Sequence, residues 1–73
     1  MPQYKLNRTA QPNSQDHEVH TVGRPCYWRD RAVNLEDLGW HANCRDAIRE
    51  AKRRHPSWRI NGCATCTPEC HTG

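Results

Sequence analysis

The chain has 73 residues, with 11 Lys and Arg against 8 Asp and Glu and a net charge of +3. That length allows one domain, in the size range where burial by itself leaves stability marginal and a metal or a set of disulfides is commonly needed. The modest charge does not by itself suggest a chain held open by self-repulsion, and no stretch reads as long and apolar enough to span a membrane.

The apolar inventory is thin. Leu6, Val19, Val22, Val33, Leu35, Leu38, Ile48 and Ile60 are the branched aliphatics, and there is no Phe. A folded interior is therefore expected to draw on Trp28, Trp40 and Trp58, each able to bury on the order of 200 Å², and on the five cysteines.

In chain order, "YKLN" (4–7) reads as a short strand, and "RTAQPNSQD" (8–16) as a turn or a loose arm, from its Pro, Asn, Ser and Asp. Residues 1–16 are accordingly expected to be a short strand with an arm, and 17–73 a single small domain. The opening residues carry no apolar run and no small-residue cleavage site, so a reducing cytosol is the expected compartment. There, clustered cysteines serve as metal ligands or catalytic groups more often than as disulfides.

"HEVHTV" (17–22) reads as a strand that stops at "GRP", just before Cys26. "AVNL" (32–35) reads as a strand and "EDLG" (36–39) as a turn. The clearest element is a helix over 43–55. Asn43 caps it with Asp46 three residues on, and Pro56 follows its end. Cys44, Ala47, Ile48 and Ala51 fall on one face, and Arg45, Arg49, Lys52 and Arg53 on the other. Glu50 meets Arg54 one turn later. "SWRI" (57–60) reads as a strand, and Asn61 with Gly62 as a turn.

The tail "NGCATCTPECHTG" holds the densest chemistry. Cys63 and Cys66 have the CxxC spacing of a metal knuckle, in which two intervening residues let both sulfurs converge on one ion. Redox motifs share that spacing but sit at a helix start, where the dipole lowers the first thiol's pKa. Here Thr67, Pro68 and Glu69 place the helix start after the second cysteine. Such a turn sets Cys70 four residues beyond Cys66, with its side chain leaning back toward it.

A structural zinc site is closed and four-coordinate, so a donor from elsewhere is needed, and Cys26 after its turn is the candidate. The expected ligand set for one Zn²⁺ is Cys26, Cys63, Cys66 and Cys70, with His20 the alternative fourth ligand. His17 and His20 are three apart and on a strand point to opposite faces, so both cannot bind one ion. "HEVH" lacks the one-turn spacing of a metalloprotease helix, which excludes that chemistry. His71 is expected to point elsewhere. Cys44 reads as a small buried hydrophobe, the tryptophans as core, and His41 and His55 as surface or helix-end residues.

With the residues set out, the order "HEVH", Cys26, "LG", "NCRDAIREAK", "NGCATC", "ECHTG" resembles a group of small uncharacterised bacterial proteins over residues 4–73. A looser similarity is to the zinc-binding ββα modules of the adaptive-response DNA repair protein and of some nuclease tails. That resemblance implies ligand positions at Cys26, Cys63 and Cys66, with His20 near the fourth, and puts the repair protein's methyl-accepting thiolate on Cys26.

The expected fold is therefore α+β: a small metal-stabilised domain with short antiparallel strands on one helix, ββα-like, ending in a CxxC knuckle. The expected function is a non-enzymatic zinc-held module that binds a protein or nucleic acid. Two alternatives stand beside it. One is nucleic-acid binding through Arg45, Arg49, Lys52 and Arg53. The other is a thiolate-based redox or methyl-acceptor activity at Cys26, Cys66 or Cys70. A disulfide-stapled secreted miniprotein would require an export signal.

Overall fold

A computed structural model of the chain describes residues 2–12 and 15–72. The fold is α+β, a four-stranded mixed sheet with one main helix. Its elements are β1 (Gln3–Asn7), β2 (Asp16–Thr21), a short helix α1 (Tyr27–Arg31), β3 (Leu35–Trp40), the main helix α2 (Cys44–Arg54) and β4 (Arg59–Gly62). A 3₁₀ turn, Pro68–Cys70, follows.

The strand order is β3-β1-β2-β4. β1 pairs antiparallel with both β2 and β3, whereas β2 and β4 run parallel. The expected all-antiparallel sheet is thus mixed, for a topological reason. Parallel strands need a crossover, and α2 carries the chain from β3 over the sheet to β4 at the opposite edge. The amino-terminal strand is central, with Leu6 fully buried. It is the strand expected at 4–7 and pairs on both sides, while residues 13 and 14 of the expected arm lie outside the described residues.

Strand alternation assigns the two faces. Tyr4, Leu6, Val19 and Leu38 meet Cys44, Ala47 and Ala51 of α2 in one core, with Ile48, Trp58 and Ile60 packed against it. Small residues on α2 let the helix lie close over the sheet. Its start follows the capping pattern: Asn43 Oδ1 accepts from the Asp46 amide at 2.9 Å, and His55 ends the helix. Beyond it, Trp58 is sandwiched between the rings of His17 and His55, with centroids 3.9 and 3.7 Å away. His55 Nε2 donates to Glu36 at 3.0 Å, which ties the helix end to β3.

Several expectations are corrected. Trp28 and Trp40 are 59% and 63% exposed, so of the three tryptophans Trp58 alone contributes to the core. The small residues of α2 fill space that larger rings would need. Residues 27–31 form a helix, and 36–39 belong to a strand, not a turn. Asp37 caps the amide of Gly39, whose φ of +83° only glycine adopts without strain, so the strand continues past a β-bulge.

Asn61 and Gly62 also lie in a strand. Gly62 is required for another reason: a Cβ there would fall 2.8 Å from the Cys70 backbone, so the tail crosses directly over it. His71 Nδ1 donates to Gly62 O, and the Asn61 amide bonds the Thr72 backbone in both directions, covering this edge of the sheet.

Cys44 is buried, as its place on the apolar face of α2 implies, but it is not a free hydrophobe. It forms a disulfide with Cys70 across a sequence separation of 26. Closing a loop of that size stabilises by about 3 kcal/mol, mainly through the unfolded chain. We expect Cys44→Ser with Cys70→Ser to lower unfolding free energy by about that amount in metal-loaded protein, measured by urea denaturation. Truncating Leu6 to Ala should cost about 3 kcal/mol or more, which a strand outside the fold would not.

Candidate metal centre

On the sheet face opposite α2 lies a second buried cluster, made of Cys26, Cys63 and Cys66 with His20. Each of the four residues is at most 2% exposed. Their donor atoms all lie within 4.8 Å of one another.

Each donor is delivered by a distinct piece of local structure. His20 sits on β2 one residue after core residue Val19, so alternation turns it to the far face. Cys26 is the N-cap of α1, its Sγ accepting from the Arg29 amide at 3.5 Å. Cys63 follows β4, and its amide donates to Val19 O at 3.0 Å, extending the parallel ladder by one residue. That ladder brings the knuckle against His20.

The knuckle is wound by Thr67. Its amide donates to Cys63 O at 2.9 Å, while its fully buried hydroxyl lies 3.0 Å from Val19 O and 3.1 Å from Cys63 O. Thr67 does not cap the following turn by its side chain, as its place before Pro68 suggests; it fastens the knuckle to β2.

Two arginines lock the loops. Arg29 Nη1 donates to Thr21 O and Arg24 O at 2.5 and 2.6 Å, closing the segment that ends in Cys26. Arg24 Nη1 reaches Cys66 O at 3.1 Å and Glu69 at 3.2 Å, joining the first ligand loop to the second. Sequence reasoning missed both. An Arg on either side of a cysteine turn carries no pattern that separates a loop clamp from a surface charge.

The distances test the donor set against a metal. A tetrahedral zinc ion, with Zn–S about 2.3 Å and Zn–N about 2.0 Å, separates sulfur pairs by about 3.8 Å and sulfur–nitrogen pairs by about 3.5 Å. Cys26 Sγ and Cys63 Sγ are 3.8 Å apart. His20 Nδ1 is 3.7 Å from Cys26 Sγ and 3.5 Å from Cys66 Sγ. The ring therefore presents Nδ1 to the sulfurs, and its buried Nε2 has no hydrogen-bond partner among the described residues. The donor set fits a thiophilic divalent ion.

Cys70, expected as the fourth ligand, is not in this group. The turn after Thr67 is 3₁₀, not α-helical, so Cys70 is not stacked over Cys66; its sulfur crosses to α2 and bonds Cys44. His20 supplies the fourth donor atom of the group. His71 is turned to Gly62.

Electrostatics explains why such a cluster calls for a cation. Burial pushes the Cys63 and Cys66 thiols above their usual range, with backbone hydrogen bonds to Cys63 from Cys66 and Thr65 acting the other way. Burial, helped by nearby Arg29, lowers the His20 pKa to about 4. Without a metal the Cys63 and Cys66 thiols and the His20 imidazole are thus neutral. A divalent ion displaces thiol protons and meets an imidazole already in its ligating form.

The residues expected to touch nucleic acid lie on the exposed side of α2. Arg49 pairs with Asp46 at 3.9 Å and Arg53 with Glu50 at 2.7 Å. Hydrogen bonds from Arg53 and Arg54 hold the Glu50 pKa down to about 2. Arg45 and Lys52 have no carboxylate partner among the described residues. Within these residues no helix is long and apolar enough to cross a membrane.

Comparison with protein-family models, curated proteins and solved structures finds no match to this chain.

Two outcomes follow from the site. Thr67→Val removes a buried donor that serves two carbonyls, and should cost about 1–3 kcal/mol and weaken metal retention, measured by chelator competition. Acid should open the metal-free fold. Because His20 binds its proton less readily folded than unfolded, its contribution is full above pH 6.5 and lost as pH falls toward about 4. That loss is on the order of 3 kcal/mol, followed by circular dichroism against pH.

Proposed function

We propose that the chain is a small zinc-binding protein in which one structural Zn²⁺ is held by His20, Cys26, Cys63 and Cys66, and that it acts as a binding module. The observation that carries this reading is the convergence of four buried donors, drawn from both halves of the chain, to within 4.8 Å of one another. Three sulfurs and one imidazole favour zinc among common divalent ions, since thiolates select soft or borderline metals and a closed tetrahedron suits zinc. Full burial of all four residues supports a structural role, because a catalytic zinc keeps an open position.

The same burial weighs against thiolate chemistry. Redox and methyl-accepting cysteines need access to the reagent, and Cys26, Cys63 and Cys66 are 2%, 1% and 0% exposed. The likeness to small bacterial proteins and to ββα zinc modules accords with the zinc reading, and the cytosol is the compartment we propose. Reduction of Cys44–Cys70 there would remove about 3 kcal/mol, which the metal site would have to offset.

Native mass spectrometry with metal analysis tests the reading. We expect one zinc per chain and a large loss of stability when EDTA removes it. Protein that holds no metal, or that is no less stable without it, would contradict the proposal.

A further inference from the structure

The Cys44–Cys70 disulfide stands apart from the metal centre, on the α2 face of the sheet, and its two halves differ in exposure. Cys44 is 3% exposed and belongs to the core. Cys70 is half-buried and lines a cleft of about 260 Å³ that Cys44 does not reach. The cleft runs between α2, which supplies Arg45, Ile48 and Lys52, and β4 with the tail, which supply Ile60 and Thr72.

Charge marks this cleft. Arg45 and Lys52 are exposed and have no carboxylate partner among the described residues, whereas Arg49, Arg53 and Arg54 of the same helix are each paired. Seven residues apart, the two free cations lie on one face, about 10 Å from each other along the helix axis. The carboxylate that borders the cleft, Glu69, is taken up by Arg24 at 3.2 Å. A half-buried disulfide sulfur residue is thus flanked by two unpaired positive charges.

We propose that this cleft docks an anionic thiol of tripeptide size with two carboxylates, and that its thiolate opens Cys44–Cys70 by attack on Cys70 Sγ. An extended tripeptide spans about 10 Å, the separation of Arg45 and Lys52 along the helix. A bond forms between the incoming sulfur and Cys70 Sγ as the bond from Cys70 Sγ to Cys44 Sγ breaks. The electron pair passes to Cys44, which leaves as thiolate and takes from water the proton that the incoming thiol gave up. The incoming sulfur is oxidised and Cys44 reduced, so no further oxidant or reductant is needed. Attack falls on Cys70 because an attacking thiolate must reach its target sulfur, and Cys44 is enclosed. Cys44 is the first residue of the eleven-residue α2, where the positive end of the helix favours the negative charge taken by the leaving sulfur. Glu69, 3.8 Å from Cys44 Sγ, acts against that charge, and its pairing with Arg24 offsets the effect. The inference does not rest on the metal reading.

The test uses the full chain, supplied with zinc and with Cys44–Cys70 oxidised. It is incubated with glutathione or with cysteamine, a thiol of opposite charge, quenched with acid, and its mixed disulfides are timed and located by mass spectrometry. Each rate is divided by that thiol's rate on bis(hydroxyethyl) disulfide, which removes intrinsic reactivity. We expect glutathione to be favoured over cysteamine at least about tenfold and to be carried on Cys70. Arg45→Ala with Lys52→Ala, both at exposed positions, should bring the two thiols level. Arg49→Ala with Arg53→Ala, on the same helix but outside the cleft, should leave the preference as it is. Equal normalised rates in the parent, an unaltered preference without Arg45 and Lys52, or attachment at Cys44 overturns the proposal. So does a chain that forms no mixed disulfide in large excess of glutathione, or one whose Cys44 and Cys70 cannot be oxidised to the disulfide. Zinc content, read in the same samples, tests the metal reading separately.

Discussion

Parallel pairing of β2 with β4 fixes where the four buried donors meet. It sets Gly62 beside Val19 and lets the Cys63 amide close on Val19 O. One further residue along each strand, alternation turns His20 and the knuckle to the same side. A slip of one residue would send His20 into the core and Val19 to the sulfurs, so register and donor cluster specify each other. The crossover through α2 makes this pairing possible, which is why a helix on one face matters to a site on the other.

The two faces are fastened by different chemistry. On the α2 face a small apolar core is supplemented by the Cys44–Cys70 disulfide, which ties the tail to the first turn of the helix. On the opposite face the four buried donors would be joined through a metal, with Arg24 and Arg29 holding the loops that present them. Cys66 and Cys70, four residues apart, thus serve opposite faces. The tail between them crosses Gly62 so closely that no side chain fits there. A chain with eight branched aliphatics and no Phe gains from both fasteners what its interior cannot supply by area.

How much of this was legible in the sequence varies with the range of the interactions that fix each part. Helix α2 was readable nearly to the residue, because its cap, its apolar face and the following proline are local signals. The strands at 4–7 and 17–22 were readable as strands, whereas of 57–60 only Arg59 and Ile60 lie in one, and of 32–35 only Leu35. Their order, and the parallel pair among them, were not, since long-range pairing leaves no local mark. Segment 36–39 was misread because Gly39 sits in a strand only by virtue of a bulge and the Asp37 side chain. For the metal centre, Cys26, Cys63 and Cys66 were read from spacing and turn chemistry, but Cys70 was placed by assuming an α-helical turn where the chain makes a tighter one. Strand alternation from Val19 held the signal for His20, and using it required knowing which side of the sheet the knuckle occupies.

A cation among three sulfurs and one imidazole nitrogen has its own X-ray absorption signature. At the zinc K-edge, metal-loaded protein should show three sulfur scatterers at about 2.3 Å and one nitrogen at about 2.0 Å. Four sulfurs, which would return Cys70 to the site and displace His20, or a shell dominated by oxygen and nitrogen, would contradict it.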